Sequence, residues 1–167
     1  LRNSTQYGDG IYKSIDGGKS WSNMGLRNTQ HIGKVIVHPQ NSDIVYVAAQ
    51  GQYYTDNDER GVYKTLDGGK SWKKILSVKH AKIHVGVTDL VMDPRDPNVL
   101  YAASYQRIRR PWGFSNAGPK SGIYKTTDGG KKWVKLSRGL PSGLLGKIGL
   151  AIYPNDPDIL YAIIEDA

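Results

Sequence analysis

One eight-residue motif occurs three times and constrains the fold more than any other feature of this 167-residue chain. It reads SIDGGKSW at 14–21, TLDGGKSW at 65–72 and TTDGGKKW at 126–133. A catalytic motif is normally needed once per active site, whereas repetition at intervals of tens of residues indicates a repeat architecture. We therefore expect the motif to be structural. Its Asp can accept hydrogen bonds from turn amides, its Gly can adopt positive φ, and its Trp is predicted to be buried.

A second motif alternates with the first and ends each time in a short apolar run. It reads VHPQNSDIVYVAA at 37–49, MDPRDPNVLYAAS at 92–104 and IYPNDPDILYAII at 152–164, with the same separation between its Pro and its Tyr in every copy. Constant spacing predicts two rigid hairpins per repeat. We name the strands A (before the Pro), B (after the Pro-containing turn), C (before the first motif) and D (beginning at its Trp). Four antiparallel strands per repeat predict an all-β fold made of β-propeller blades.

The spacing also predicts how the blades divide the chain. Propellers close with four to eight blades, whereas this chain contains about three blade equivalents, so we expect the remaining blades of a larger parent propeller as its first partner. The predicted divisions are 1–32 (end of one blade), 33–84 (second blade), 85–146 (third blade) and 147–167 (start of a fourth).

Composition excludes several classes of site. The chain has no Cys, which removes disulfides and thiolate chemistry, and no apolar window of about 18 residues that would predict a membrane span. Its four His show no ligand grouping, and no serine triad or phosphate loop is present. Asp56-Asn-Asp58 is similar to the start of a calcium loop, but Arg60 stands where a ligand should be. We predict no metal and no cofactor.

Charge indicates the kind of partner. A formal net charge of +8 favours anionic ligands, although a lysine-rich solvated surface is the favoured explanation for it. The basic residues are spread over all blades instead of forming one stripe, so nucleic acid is not predicted.

Loop lengths indicate which face binds. Antiparallel connectivity places the A–B and C–D turns on one face and the B–C and D–A loops on the other. The first set is constant in length, whereas the B–C separation from Tyr46 to Tyr63 is 17 residues and that from Tyr101 to Tyr124 is 23. Variable loops on a rigid scaffold are where binding usually resides.

The third blade's B–C loop, SYQRIRRPWGFSNAGPKS at 104–121, combines cations with aromatic rings. Guanidinium groups bind carboxylates, sulfates or phosphates through forked hydrogen bonds, and rings stack on sugars or peptides. In the alternative interpretation, Trp112 plugs the blade, the arginines pair with neighbouring acids, and the tyrosines of the second blade's loop cover the adjacent blade. The predicted ligand-binding residues are Arg107, Arg109, Arg110, Trp112, Tyr53 and Tyr54.

The three copies of the first motif fit the Asp-box (BNR) pattern, Ser/Thr-x-Asp-x-Gly-x-Ser/Thr-Trp, with one departure at Lys132. Over nearly its whole length the chain resembles Asp-box repeat propellers, most of all large exported bacterial sortilin N-terminal-like or BNR-repeat proteins. It is more distantly similar to xyloglucanase-type glycoside hydrolases and sialidases. The resemblance implies a periplasmic, cell-surface or secreted location. The structural Asp-box residues it implies are Ser14, Asp16, Gly18, Trp21, Thr65, Asp67, Gly69, Trp72, Thr126, Asp128, Gly130 and Trp133.

Two functions follow from this resemblance. The first is a non-catalytic binding or scaffold module that recognises a protein, peptide or glycan through its B–C and D–A loops. The alternative is a glycoside hydrolase whose active site includes the remaining blades, since glycosidases use two carboxylates. In xyloglucanase-like relatives an Asp follows strand B, where this chain has Gln50 and Ser104. Only the fourth blade offers carboxylates there, Glu165 and Asp166.

Overall fold

The computed structural model describes residues 6–166 and confirms the predicted all-β fold. Apart from a single 3-10 turn at Arg27–Thr29, the regular structure of these residues consists of strands. The strands are β1 (Tyr12–Lys13), β2 (Ser22–Asn23), β3 (Ile32–His38), β4 (Asn41–Ala49), β5 (Gly61–Thr65), β6 (Lys73–Leu76), β7 (Val78–His80), β8 (Ile83–Met92), β9 (Leu100–Tyr105), β10 (Ile108–Arg110), β11 (Gly113–Ser115), β12 (Gly122–Thr126), β13 (Val134–Leu136), β14 (Leu145–Ile152) and β15 (Leu160–Asp166).

Two sheets contain the full A-to-D order. One is β3-β4-β5-β6, and the other is β13-β12-β9-β8-β7, in which the strands predicted as A to D are β8, β9, β12 and β13. The fifth strand, β7, was not predicted; it pairs with the first residues of β8, opposite Ile83–Val85. Three separate hairpins, β1–β2, β10–β11 and β14–β15, complete the described structure.

The first strands of the sheets, β3, β8 and β14, lie beside one another. Gly33 permits the close approach of β3 to β8, because a Cβ there would lie 2.2 Å from the carbonyl oxygen of Thr88. On the other side, the Thr88 hydroxyl donates to the carbonyl of Ile148 (3.3 Å) and the amide of Leu150 donates to the Asp89 carboxylate (2.8 Å). Sheets that meet along their first strands radiate from a common centre, which is the arrangement of a partial propeller.

Apolar side chains fill the space between neighbouring sheets. The strands alternate residues toward each face, so each sheet buries one row against the sheet before it and another against the sheet after it. The main cluster joins the two full sheets and consists of Tyr46, Ala48, Val62, Leu76, Val78, Val85, Val87, Leu90, Leu100 and Ala102. In the described part of the chain, no helix has the length and apolarity to cross a membrane.

The three motif turns, here called the box turns (14–21, 65–72 and 126–133), share one pattern of hydrogen bonds. In the second, the Thr65 hydroxyl donates to Asp67 Oδ1 (2.7 Å) and accepts from the amide of Gly69 (3.0 Å). The same carboxylate accepts from the amide of Ser71 (2.9 Å) and from its hydroxyl (2.5 Å). The glycines supply the positive φ that the turn needs, with Gly68 at 71° and Gly69 at 97°. Each carboxylate therefore accepts hydrogen bonds from donors of its own turn that would otherwise have no partner.

These bonds shift the titration of the carboxylates. The hydroxyl of Ser20, followed by its amide, lowers the pKa of Asp16 to about 2, and Ser71 lowers the pKa of Asp67 in the same way. In the third turn Lys132 replaces this serine, and the amide of Lys132 becomes the main cause of the lowered pKa of Asp128.

The prediction that every motif Trp is buried is wrong for Trp21. Trp72 and Trp133 are half-buried, whereas Trp21 is 61% exposed. The indole of Trp72 donates to the carbonyl of Met24 in the preceding hairpin (2.6 Å). Trp21 instead donates to Gly18 of its own turn, because no described residue occupies the equivalent position beside it. Burial of this Trp thus depends on the neighbouring blade.

Candidate functional site

The face opposite the box turns carries a pocket of about 330 Å³ between the B–C loops of the two full sheets. Five of the six predicted ligand-binding residues line it, and Trp112 does not. The lining residues are Tyr53, Tyr54, Thr55, Asp56, Arg60, Ile83, Arg107, Ile108, Arg109 and Arg110.

Tyr53 is the centre of a stack of rings and cations. The centroids of the Tyr53 and His31 rings lie 3.7 Å apart, with an interplanar angle of 13°. The Arg107 guanidinium lies 4.1 Å from the Tyr53 centroid and makes a cation–π contact with the ring. Its hydroxyl donates to Gln50 Oε1 (2.6 Å), and burial raises its pKa. Burial also lowers the pKa of His31, which favours the neutral ring. Because His31 and Arg107 already contact this ring, Tyr53 shapes the pocket wall and is poorly placed to stack on a ligand.

The hairpin β10–β11 presents the other wall. Arg109 lies opposite Phe114 in the register of the two strands, and the guanidinium groups of Arg107 and Arg109 lie 5.4 and 5.3 Å from the Phe114 ring. Pro111 and Trp112 form the tip of the hairpin, where Trp112 is 81% exposed. Trp112 therefore does not plug the blade, contrary to the alternative interpretation.

Arg60 forms the base of the pocket and was missed as a site residue. It is 4% exposed and donates to four carbonyl groups, those of Gln52 (2.7 Å), Thr55 (3.2 Å), His84 (2.9 Å) and Arg107 (3.2 Å). These carbonyls belong to the B–C loops of both full sheets and to β8. Burial lowers the pKa of Arg60. Only its position, directly before the Gly61 that opens strand C, could have marked it in the sequence.

The charge of the lining is strongly positive. Four arginines and one aspartate face the pocket, a formal balance of +3. The aspartate, Asp56, is already engaged by His84, whose amide donates to it (3.0 Å) and whose ring lies 3.4 Å away. Among the described residues, Arg109 and Arg110 form no ion pair, and the buried Nε atoms of Arg60 and Arg107 have no hydrogen-bond partner. The guanidinium groups of Arg109 and Arg110 therefore remain as donors for an anion, whereas the two Nε atoms are too buried to meet one.

The candidate catalytic carboxylates lie elsewhere. Glu165 and Asp166 are at the end of β15, where Glu165 accepts the amide of Lys147 (2.9 Å). Gln50 holds Tyr53, and the buried hydroxyl of Ser104 donates to the carbonyl of Lys120 (2.7 Å). The described residues also contain no cluster of three or more His, Asp or Glu that could hold a metal ion.

Comparisons with known proteins place these observations in a family. A family model described as "Sortilin, neurotensin receptor 3" (Sortilin-Vps10) matches residues 9–144. No curated protein matches the sequence.

Solved structures with similar folds include glycoside hydrolases. An ancestral GH74 enzyme matches with a TM-score of 0.65 and 19% identity, over 92% of this chain and 19% of its own. The GH74 xyloglucanase from Xanthomonas campestris matches with a TM-score of 0.40 and 17% identity, over 91% of this chain and 32% of its own. The GH74 enzyme from Niastella koreensis gives 0.41 and 14%, over 90% and 30%. The chain thus spans less than a third of each of these proteins, and the first likeness shows a shared fold alone.

Proposed function

Because the chain belongs to the Sortilin-Vps10 family, we propose that it is a non-catalytic binding module of an exported bacterial BNR-repeat propeller. It recognises an anionic group of a protein, peptide or glycan through its B–C and D–A loops. The observation that carries this proposal is the 330 Å³ pocket, in which Arg109 and Arg110 have no carboxylate partner among the described residues.

The lining residues divide into a base and a contact surface. Arg60, Tyr53 and Arg107 hold one another and the loops in place, so the pocket is formed before a ligand arrives. Arg109 and Arg110 then supply forked donors to a carboxylate, sulfate or phosphate. A preformed site loses less side-chain entropy on binding than a flexible one. Trp112 remains a candidate contact for a ligand that extends beyond the pocket.

Electrostatic attraction alone is a weak source of affinity here. An exposed ion pair contributes about 1 kcal/mol or less and is screened by salt. Ile83 and Ile108 line the same pocket, so a ligand with an apolar or ring-shaped part next to its anionic group gains additional burial. We expect such ligands to bind better than simple anions.

Within this chain, the lining favours binding over glycoside hydrolysis. Glycosidases place two carboxylates across the scissile bond, whereas Asp56 is the single acidic residue among the lining residues and is held by His84. The likeness to GH74 enzymes is a likeness of fold.

The proposal is tested by titrating the protein with paired probes in a calorimeter. The probes are a sulfated oligosaccharide and an oligo-glutamate peptide, each compared with its uncharged counterpart. We expect binding of at least one anionic probe, weakening by about tenfold or more in the double variant Arg109→Gln/Arg110→Gln. The matched control, Lys19→Gln/Lys70→Gln, removes the same charge from the box-turn face and should bind like the wild type. Equal binding of charged and uncharged probes, or unchanged binding by the arginine variant, would contradict the proposal.

A further inference from the structure

The β10–β11 hairpin ends in an uninterrupted run of exposed residues, 110–116. Trp112 is 81% exposed and Phe114 is 51% exposed. A Cβ on Gly113 would meet no atom within 4 Å, and among the described residues the Trp112 indole makes no hydrogen bond or ring contact. The hairpin end, residues 109–114, therefore projects as a convex element from the face opposite the box turns.

Contacts within the hairpin fix the shape of its end. Arg109 lies opposite Phe114 in the strand register, and its guanidinium makes a cation–π contact with that ring, 5.3 Å from the centroid. The guanidinium of Arg107 contacts the same ring and also the ring of Tyr53 in the second blade. The Phe114 ring and the charges beside it are therefore in place before a partner arrives, which lowers the entropy lost on binding.

Strands of neighbouring blades lie on both sides of this hairpin, and they leave Trp112 uncovered. On one side, Arg107 contacts Tyr53 in the loop that follows β4. On the other side, the amide of Gly118 donates to the carbonyl of Leu145 in β14 (3.1 Å). The exposure of Trp112 is thus a property of the projecting hairpin and not of an open sheet edge.

The loop that carries the hairpin is basic and contains no acidic residue. Residues 104–121 include the cations Arg107, Arg109, Arg110 and Lys120, and no Asp or Glu.

The carboxylates of the adjacent segments are engaged within the fold. The corresponding loop of the second blade, 50–60, has three acidic residues, and their partners are the amide of His84 for Asp56 (3.0 Å), the ammonium of Lys74 for Asp58 (2.7 Å) and the hydroxyl of Tyr63 for Glu59 (3.2 Å). At the end of β15, Glu165 accepts the amide of Lys147 (2.9 Å). These carboxylates therefore leave the positive charge of the hairpin end available to an anionic partner.

Convex shape and charge together indicate the kind of partner. Small molecules bind in concave sites, whereas an exposed Trp on a projecting hairpin can enter a deformable surface. In membranes, Trp rings lie at the level of the headgroups, and basic side chains beside them are attracted to anionic lipids. Arginine binds phosphate through forked hydrogen bonds. A soluble anionic polymer would engage the same charges without requiring a projecting ring.

We infer that the hairpin end docks on the surface of an anionic membrane, with Trp112 among the headgroups and with Arg109 and Arg110 on the lipid phosphates. One inserted ring and two arginines give reversible attachment, because stable anchoring requires stronger signals. The attraction falls as salt rises, since ions screen exposed charges. The inference does not depend on the proposed pocket ligand, because Trp112 lies outside the pocket lining.

Co-sedimentation of the full chain with lipid vesicles tests the inference. Vesicles of phosphatidylcholine alone are compared with vesicles that also contain the anionic lipid phosphatidylglycerol. We expect binding to the anionic vesicles to be about tenfold tighter or more, and to weaken as salt rises. Trp112→Ala should weaken this binding about tenfold or more. The matched control, Trp21→Ala, removes an exposed Trp from the box-turn face and should bind like the wild type.

Fluorescence measures insertion of the ring directly. Bromine atoms on the lipid acyl chains quench the emission of a Trp that lies close to them. They should quench the vesicle-bound wild type and Trp21→Ala, and they should leave the emission of Trp112→Ala unchanged. Thermal melts of both variants check that they are folded.

Three results would overturn the inference. They are a wild type that binds anionic vesicles no better than neutral ones, a Trp112→Ala variant that binds like the wild type, and quenching that persists in this variant. The soluble sulfated probe separates the inference from the proposed function, since Trp112→Ala should bind that probe within about twofold of the wild type. Probe binding without vesicle binding would contradict the membrane inference alone, and vesicle binding without probe binding would contradict the proposed function alone.

Discussion

At the scale of single residues, the carboxylates of the box turns differ by one hydroxyl donor. Asp16 and Asp67 each accept from a serine hydroxyl at 2.5 Å, whereas Lys132 leaves Asp128 with backbone amides and the Thr126 hydroxyl. Hydrogen bonds to the ionised form favour that form. The lowered pKa of each Asp therefore means that the charged carboxylate contributes stability, which is lost when the carboxylate is protonated.

This gives a prediction for pH. A carboxylate whose folded pKa lies below its unfolded value stabilises above the unfolded value and loses that contribution as the pH falls through the folded pKa. With Asp16 at about 2 and an ordinary value of 3.8, the melting temperature should fall between about pH 4 and pH 2. Asp67→Asn should lower the melting temperature at pH 7, and the difference from the wild type should narrow as the pH falls toward the folded pKa of Asp67, because protonation then removes the same charge from the wild type. Asp128→Asn should lower the melting temperature at pH 7 by less than Asp67→Asn does, because Asp128 accepts from only one hydroxyl. Calorimetric melts across this range check the prediction, and parallel curves for wild type and Asp67→Asn would contradict it.

At the scale of elements, Arg60 joins loops that no strand pairing connects. It donates to carbonyls of two B–C loops and of β8, and a buried donor fork without partners is costly. A lysine at this position would carry its three donors on one nitrogen atom, which cannot reach all the carbonyls that the Arg60 guanidinium binds.

Arg60→Lys should therefore loosen residues 51–60 and 105–115. We expect faster amide hydrogen exchange in both segments, with little change in β4 or β9, because the strand ladders do not involve Arg60. Arg110→Lys is the matched control: it makes the same chemical change in the neighbouring hairpin at an exposed side chain, and exchange should stay as in the wild type. Unchanged exchange in Arg60→Lys would show that the loops hold one another without it.

The difference between local turns and contacts made only on folding explains how much could be predicted from the sequence. Strands β5 and β12 form where strand C is predicted, at the start of their box turns, because turn residues at fixed spacing act locally. The pairing of β7 with β8, the β10–β11 hairpin and the bonds of Arg60 depend on segments brought together by folding, which no local pattern specifies. Trp21 shows the same limit, since its motif is intact and its exposure is decided by the neighbouring blade.

At the scale of the whole molecule, the two faces of the partial propeller differ in structure, and we propose that they differ in function. The box-turn face carries turns of constant length whose polar groups bond within the turn or to the adjacent blade. The opposite face carries the pocket, in which we propose Arg109 and Arg110 as the contact residues. Stability and ligand binding are therefore expected to respond to changes on different faces.

The most direct test measures melting temperature and binding of the anionic probe on the same two variants. Asp67→Ala removes the acceptor of the turn donors and should lower the melting temperature by roughly 5 °C without changing the dissociation constant. Arg109→Gln/Arg110→Gln should leave the melting temperature within about 1 °C of the wild type and weaken binding about tenfold. If Asp67→Ala lost binding at an unchanged melting temperature, or the arginine variant melted early and bound normally, the assignment of the two faces would be wrong.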